Sequence, residues 1–330
     1  MLYLILLLLL GGIAWFLYEK RQRPTGELPP GLHEEILLPH EREWEIYENQ
    51  LSFCSKKLRV CMQELGLDYV DQHIELVETS HYENLRRDYL RINPGFTVPV
   101  LVHHGHPIYE SHEQIVYAAQ HAGERGAELL GATPELRSQV NHWVEQGSLQ
   151  GDPLEGDETR PGSGIPGLTI PLFATMIQYI PWSRLAEGVL FHGDRRRPLM
   201  FSAMKLLGLK KMPPPAVATI QKSRRSMSNH LDALEKLLSD ERTWLCGDTF
   251  TLADINWMPI FERLDEADWS ELLLNAEKRP AVAAYWARLK ARPSYQKALI
   301  HRGEIHTRAL QDIREAKRAS PELRQQLEVD

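Results

Sequence analysis

The sequence predicts two folded domains, an α/β domain followed by an all-helical domain, with one membrane-spanning helix ahead of both. Three observations support this fold class. Strand-like and helix-like stretches alternate over residues 44–123, helical periodicity dominates from residue 124 onward, and an uncharged apolar run opens the chain. With 330 residues the chain is long enough for about two domains of ~150 residues each.

The composition is that of an ordinary globular protein, with 43 % apolar and 25 % charged residues. The formal charge of −7 argues against nucleic acid as a partner. Cys54, Cys61 and Cys246 are too few for a disulfide framework in a chain of this length, and they are typical of a reducing compartment.

The N-terminal run Leu2–Tyr18 contains no charged residue. As a helix it would be about 25 Å long, enough to cross a thin bilayer. Lys20, Arg21 and Arg23 follow it directly, so the positive-inside rule places the rest of the chain in the cytoplasm. A cleaved signal peptide would need a basic leading segment and a small-residue cleavage site, which are both missing. We therefore expect a single-pass membrane protein with its anchor at residues 1–19.

Residues 20–43 contain four prolines among polar residues and are predicted to be a linker. The α/β domain follows at 44–123. Its first helix is predicted to begin near Ser52 and end at Gly66, and a later helix is predicted to have Ser111 as its N-cap. Between these helices, Val98–His103 and Pro107–Glu110 have the pattern of a hairpin. The predicted order β-α-β-α-β-β-α is that of a thioredoxin-like domain.

The helical domain is predicted to occupy residues 124–330, with an insert at about 151–215. Residues 151–167 are rich in Gly and Pro, which predicts a loop. In the helical part, Thr251 and Asp254 have the spacing of a capping box, which is a structural feature.

The segment Trp182–Arg225 contains ten basic residues and two acidic ones. Aromatic and apolar residues interleave with these charges; they are Trp182, Phe191, Met200 and Phe201. One interpretation is a surface that contacts the anionic leaflet of a membrane. In the other, the basic residues pair with the acidic loop at 152–158 or face solvent. The sequence leaves both open.

Three motifs in the first domain, SFCSKKLR, TVPVL and YES, resemble those of the glutathione transferases at this spacing. WLCGDTFTLADI in the second domain is also similar to that superfamily. The resemblance covers about residues 44–123 and 217–295. Within the superfamily, KRPAVAAYWARLKARPSYQKAL is similar to the ganglioside-induced differentiation-associated (GDAP) proteins. The GDAP proteins have a C-terminal anchor, whereas the apolar span here is N-terminal, so their mitochondrial location does not transfer.

The resemblance implies a glutathione site. Pro99 would be a cis-proline at the start of a strand, and the backbone of Val98 would pair with the cysteinyl part of glutathione. Ser111 would bind the γ-glutamyl carboxylate and Glu110 the neighbouring ammonium. The alternative is a trans proline, which is allowed at the first residue of a strand. Ser111 is likewise compatible with an ordinary helix cap.

Ser52 matches the catalytic serine, whose hydroxyl stabilises the glutathione thiolate. A thiol of pKa ~8.5 is only a few per cent ionised at neutral pH, so a hydroxyl donor at a helix N-terminus favours the reactive anion. Cys54 is two residues too late for the nucleophile of cysteine-type transferases, although it matches a cysteine of the zeta class. The alternatives are that Ser52 is only a cap and Cys54 only a small buried residue.

His103, His104 and His106 lie together in HHGH, with no cysteine nearby to complete a metal site. We expect a solvated turn there and no metal.

The leading hypothesis is an enzyme that adds the glutathione thiolate to a hydrophobic electrophile, with glutathione as co-substrate. The resemblance is compatible with a homodimer. The rival is a non-catalytic glutathione-binding or structural membrane protein of the GDAP kind. A third interpretation is a thiol reductase that uses Cys54.

Overall fold

A five-stranded sheet and the helices around it position the site. The structure is a computed structural model that describes residues 1–154, 158–240 and 242–329. Within these residues the strands are β1 Gly31–Leu32, β2 Trp44–Glu48, β3 Val70–His73, β4 Val100–His103 and β5 His106–Tyr109. The helices of the N-terminal part are α1 Leu2–Arg21, α2 Phe53–Leu65, α3 Arg87–Ile92 and α4 Ser111–Gln120.

The rest of the described chain is helical, as the periodicity predicts. The helices are α5 Gly123–Leu130, α6 Pro134–Gln146, α7 Pro161–Met176, α8 Trp182–Phe191, α9 Arg196–Leu207, α10 Pro214–Leu238, α11 Leu252–Glu266, α12 Ser270–Leu273, α13 Pro280–Lys290, α14 Pro293–Ala298, α15 Glu304–Ala319 and α16 Pro321–Glu328. The predicted fold class, a thioredoxin-like domain followed by a helical domain, is confirmed.

The strand order in the sheet is β1-β5-β4-β2-β3. The pair β2–β3 is parallel because α2 crosses between the two strands, and the other pairs are antiparallel. α2 begins and ends where the sequence predicts. Ser52 caps its first turn, and Gly66 ends it with a left-handed backbone at φ +68°.

The segment predicted as a linker is partly built into the sheet. Gly31 and Leu32 form β1, which pairs with β5 and adds a fifth strand at the edge. Leu38 is buried against the same end of the sheet, and the Gly26 N–H donates to the Pro94 carbonyl at 3.0 Å. The prolines indicated extended backbone correctly, but they could not show that this backbone pairs with a strand.

The insert supplies the central helix of the second domain. α7 is almost wholly buried and packs against α10, α11 and α15. The predicted Gly/Pro-rich loop is therefore wrong from Pro161 onward. A Cβ at Gly162 would lie 2.5 Å from backbone atoms of Gly147 and Ser148, and one at Gly167 would collide with Ser223. These glycines allow close helix packing, which sequence alone does not distinguish from a loop.

The basic segment differs from the predicted membrane surface in two respects. Arg196 pairs with Asp152 and Asp194, at 2.7 and 2.8 Å, and Arg197 pairs with the buried Glu78. Phe201 is fully buried and does not face out. The alternative of pairing with the acidic loop is thus met at Asp152 and, at 3.8 Å, between Lys222 and Glu158. Residues 155–157 of that loop lie outside the described part of the chain.

The basic segment also exposes apolar side chains. Five large apolar side chains of α8 and α9 are exposed, namely Trp182, Leu190, Leu199, Leu206 and Leu207. The exposed residues come from both helices, whereas Arg196 and Arg197 are held by carboxylates.

The Tyr3–Arg21 part of α1 is long and apolar enough to cross a membrane, and it is not buried against the protein. The end of α1 does contact the domain. Trp15 and Phe16 approach the Phe191 ring of α8, with centroids 6.2 and 5.7 Å apart, and Glu19 pairs with Arg87. The orientation of α1 relative to the folded part is therefore set by specific contacts.

Candidate functional site

The N-terminus of α2 brings Ser52 to the start of β4. The Ser52 hydroxyl accepts a hydrogen bond from the Ser55 N–H at 3.2 Å and donates one to the Val98 carbonyl at 3.3 Å. Because the first N–H groups of a helix lack partners within it, an anion placed here would meet the positive end of the helix dipole. Two of the predicted site residues, Ser52 and Val98, are thus in direct contact.

The peptide bond between Val98 and Pro99 is cis, as the resemblance implies. Side chains hold the loop before it, because Tyr89 Oη and Asn93 Nδ2 donate to the Thr97 carbonyl at 2.5 and 2.8 Å. After it, the Gln114 amide donates to the carbonyls of Pro99 at 2.9 Å and Ile108 at 2.8 Å. These three polar side chains fix the backbone that the site presents.

Glu110 and Ser111 lie at the turn from β5 into α4. Ser111 was predicted to be the N-cap of α4, but it is the first helical residue and Glu110 occupies the cap position. Glu110 has φ +67°, a conformation that is uncommon for a residue with a side chain and that often marks a functional position. This turn buries the Ser111 side chain at the helix N-terminus and leaves Glu110 exposed.

Cys54 lies near Ser111, so the first turns of α2 and α4 are close together. Burial raises the pKa of the Cys54 thiol, while the Lys57 ammonium and the Ser111 hydroxyl oppose that rise. Cys54 is accordingly less acidic than a free thiol, although it lies within the predicted site.

Lys57 is the cation of this region that the sequence reasoning missed. It is fully buried on α2, and its Nζ donates to Ser148 Oγ at 3.3 Å. Burial lowers the pKa of Lys57 to about 8, and the negative charge of Glu110 opposes this shift. Lys57 lies at a position where the helical period of α2 places apolar residues, and this was the signal that could have identified it.

Gln114 and Asn93 were also missed. Gln114 lies on the buried face of α4 beside Ile115 and Ala118, where the helical period otherwise places apolar residues. A polar side chain at such a position indicates a buried hydrogen-bonding task, but sequence does not say which backbone groups it serves.

These residues surround the N-termini of α2 and α4, and we call this region the cleft. It offers hydroxyl donors, the Val98 backbone, a carboxylate at Glu110 and a buried cation. Such a set can bind a peptide-like thiol with a free carboxylate and amine, and can stabilise its thiolate. Nothing in it requires a metal ion.

Two family models match the chain. "Glutathione S-transferase, N-terminal domain" matches residues 51–121, and "Glutathione S-transferase, C-terminal domain" matches residues 199–293.

Curated relatives span both domains. The chain is 25 % identical over 259 residues to "Glutathione S-transferase TCHQD" of Arabidopsis thaliana, which covers 77 % of this chain and 89 % of that one. It is 25 % identical over 259 residues to "Tetrachloro-P-hydroquinone reductive dehalogenase" of Sphingobium chlorophenolicum, covering 78 % and 96 %. It is 26 % identical over 286 residues to human "Ganglioside-induced differentiation-associated protein 1-like 1", covering 81 % and 76 %.

The fold is similar to that of solved structures. The β-etherase LigF from Sphingobium sp. strain SYK-6 aligns with a TM-score of 0.63 at 19 % identity, over 78 % of this chain and 98 % of that one. With matching models for both domains, relatives that span them and the same fold, the chain belongs to the glutathione S-transferase superfamily.

Proposed function

We propose that this protein is a membrane-anchored glutathione transferase that adds the glutathione thiolate to a hydrophobic electrophile. The contact between Ser52 Oγ and the Val98 carbonyl supports the proposal most strongly. A hydroxyl has one proton to donate. When the cysteinyl N–H of glutathione donates to the Val98 carbonyl in place of Ser52, the Ser52 hydroxyl can rotate. It then donates its hydrogen bond to the glutathione sulfur.

The chemistry that follows is nucleophilic addition. The Ser52 hydroxyl and the N-terminus of α2 stabilise the thiolate, which attacks the electrophilic carbon. The γ-glutamyl carboxylate lies at Ser111 and the ammonium at Glu110. Lys57 adds a positive charge behind the site, and it is an additional source of thiolate stabilisation.

The alternative is a glutathione-binding protein without transferase activity, as in the GDAP-like interpretation. The similarity to the human GDAP-like protein supports it. Calorimetric titration with glutathione followed by a broad electrophile panel separates the two. Binding with conjugation supports the enzyme, whereas binding without conjugation of any electrophile favours the alternative.

A reductase chemistry through Cys54 is a second candidate, because Cys54 lies in the first turn of α2, two residues after Ser52. One relative is named as a reductive dehalogenase. The raised pKa of Cys54 opposes this candidate, since less thiolate forms at neutral pH.

Membrane anchoring through residues 1–19 is part of the proposal, with the globular part facing the cytoplasm. The apolar surface of α1 and the basic residues that follow it support this orientation. A homodimer remains a prediction from the resemblance.

We also propose that the exposed apolar residues of α8 and α9 rest on the same membrane. Phe191 of α8 contacts Trp15 and Phe16 of α1, so this surface begins at the cytoplasmic end of the anchor. Lys205, Lys210 and Lys211 lie in the same segment and would meet anionic headgroups.

Replacing Ser52 by Ala should lower the turnover number for conjugation by about tenfold to a hundredfold, because a hydrogen bond to a thiolate contributes ~1.5–3 kcal/mol. Glutathione affinity should change far less. The measurement is steady-state kinetics with calorimetric binding.

Ser52 also caps α2, so Ser52→Ala should cost about 1 kcal/mol of stability as well. Thr133→Ala is the matched control, because Thr133 caps α6 by accepting from the Leu136 N–H at 3.2 Å, away from the cleft. It should lose similar stability and keep full turnover. Equal turnover in the wild type and Ser52→Ala would rule out the assigned role.

Replacing Ser111 by Ala should instead weaken glutathione binding by about tenfold or more, because it removes a hydroxyl donor from a charged carboxylate. The turnover number should stay within about twofold. S-methylglutathione, which lacks a free thiol, should show the same loss of affinity in calorimetry. A loss seen only with glutathione would mean that Ser111 acts on the sulfur through Cys54.

The full chain should stay in the membrane pellet through high salt and alkaline carbonate, because α1 crosses the bilayer. Deleting residues 2–14 should move the protein to the soluble fraction while keeping Trp15, Phe16 and Glu19, which contact the folded part. The readouts are fractionation and circular dichroism. Extraction of the full chain by carbonate would contradict the anchor.

A spin label at Leu206→Cys should collide with dissolved oxygen more than with an aqueous nickel chelate when the full chain is held in anionic lipid nanodiscs. The label at Leu37→Cys is the control, because Leu37 is similarly exposed, 69 % against 75 %, but lies outside α8 and α9. Both labels are placed in a background with Cys54 and Cys246 changed to Ser. If the two labels have the same accessibility to oxygen and to the nickel chelate, α8 and α9 do not contact the bilayer, even if α1 crosses it.

A further inference from the structure

The turn between β4 and β5 brings together three side chains that come from two separate segments. In the β2–β4 pair, Trp44 lies opposite His103. One residue further, the His104 N–H donates to the Glu43 carbonyl at 2.8 Å. The backbones of Glu43 and His104 are therefore held together by the sheet, and their proximity does not depend on side-chain placement alone.

The backbone of the turn also sets which way the two histidines face. Neighbouring residues on a regular strand point to opposite faces of the sheet. His104 departs from this with φ +50°, and its ring lies 4.4 Å from that of His103. The two imidazoles are thus on one side of the hairpin, next to Glu43.

The three groups have the spacing of metal ligands. Glu43 Oε1 lies 3.4 Å from His103 Nε2 and 3.8 Å from His104 Nε2. All three ligand atoms lie within 4.8 Å of one another. Tetrahedral zinc with bonds of 2.0–2.2 Å separates its ligand atoms by about 3.4 Å, so only small side-chain rotations are needed.

His103 has the support that metal-binding histidines usually have. Its ring stacks on Trp44 with centroids 3.8 Å apart, and only 11 % of its side chain is exposed. Its Nδ1 is 2.9 Å from the Tyr117 hydroxyl, whose oxygen can accept a hydrogen bond from the N–H at that nitrogen. This contact leaves His103 Nε2 free to bind a metal. In metal sites, a hydrogen-bond partner on the other ring nitrogen commonly orients the histidine in this way.

We propose that Glu43, His103 and His104 form a binding site for a zinc-like divalent cation. Two imidazoles and one carboxylate suit zinc, whereas calcium and magnesium prefer oxygen ligands alone. The exposed side of the site leaves a fourth position to water. Histidines in HHGH suggested only a solvated turn, because Glu43 is sixty residues earlier in the sequence and its contribution was invisible there.

The site is separate from the glutathione cleft. β4 begins after Pro99 in the cleft and ends at His103, so the two sites lie at opposite ends of one strand. A bound cation would join the turn to the segment before β2. Because it binds the folded state, it would raise the thermal midpoint, and the rise would grow with the logarithm of the cation concentration above Kd.

The test is calorimetric titration of the full chain in detergent with zinc chloride, using protein without a histidine tag. One zinc should bind per chain, and the melting temperature should rise with zinc. Glu43→Gln and His104→Gln should each weaken binding by at least about tenfold, and Tyr117→Phe should weaken it about tenfold through the loss of ligand orientation. Glu43 and His104 are exposed, so their variants should fold normally.

His106→Gln is the matched control. His106 belongs to the same HHGH motif, but its Nδ1 contacts the Ile36 carbonyl at 2.8 Å and it is not one of the three ligands. It should bind zinc like the wild type. The proposal is overturned if His106→Gln weakens binding as much as His104→Gln does. It is equally overturned if Glu43→Gln leaves binding unchanged, or if Cys54→Ser abolishes it, because the metal would then be held elsewhere.

Discussion

A buried cluster of charges joins the two domains next to the N-terminus of α2. Lys56 of α2 pairs with Glu266 of α11, and both side chains are about 1 % exposed. Arg263 bonds Glu266 at 2.9 Å and also donates to the Leu51 carbonyl, the residue before Ser52. Because separating buried opposite charges is costly, the helical domain holds the N-terminus of α2 in one position.

The pKa values in this cluster show how strongly its members depend on each other. Burial lowers the pKa of Lys56 to about 8, although Glu266 opposes the shift. Burial alone would raise the pKa of Glu266, but Lys56 and Arg263 hold it well below its usual range. The pair is therefore ionised together at neutral pH. Ser52 begins the same helix one turn earlier, so the geometry of the cleft depends on this interface.

The sequence predicted most of what is local and less of what depends on distant partners. The limits of α2 and its cap at Ser52 follow from a short pattern, and both agree with the structure. β1 was missed because two residues carry almost no pattern and gain their strand character only by pairing with β5. Phe201 looked interfacial beside its arginines, yet it packs inside the helical domain.

The same distinction applies to the site. Ser52, Pro99 and Ser111 were identified by motifs, whereas Lys57 and Gln114 act through groups far away in the chain. Lys57 reaches Ser148 of the second domain, and Gln114 joins two strands to α4. Their roles become visible only when the distant backbone is known, because the residue type alone is compatible with an exposed helix position.

The contacts between the end of α1 and the domain have a consequence for how substrates arrive. Arg23 Nε donates to the Leu85 carbonyl at 3.0 Å, and Glu19 pairs with Arg87. These contacts hold the end of α1 against the folded domain. If α1 crosses a bilayer, these contacts keep the cleft in one orientation relative to that bilayer. An oily reactant that partitions into that bilayer would then reach a high local concentration close to the folded domain.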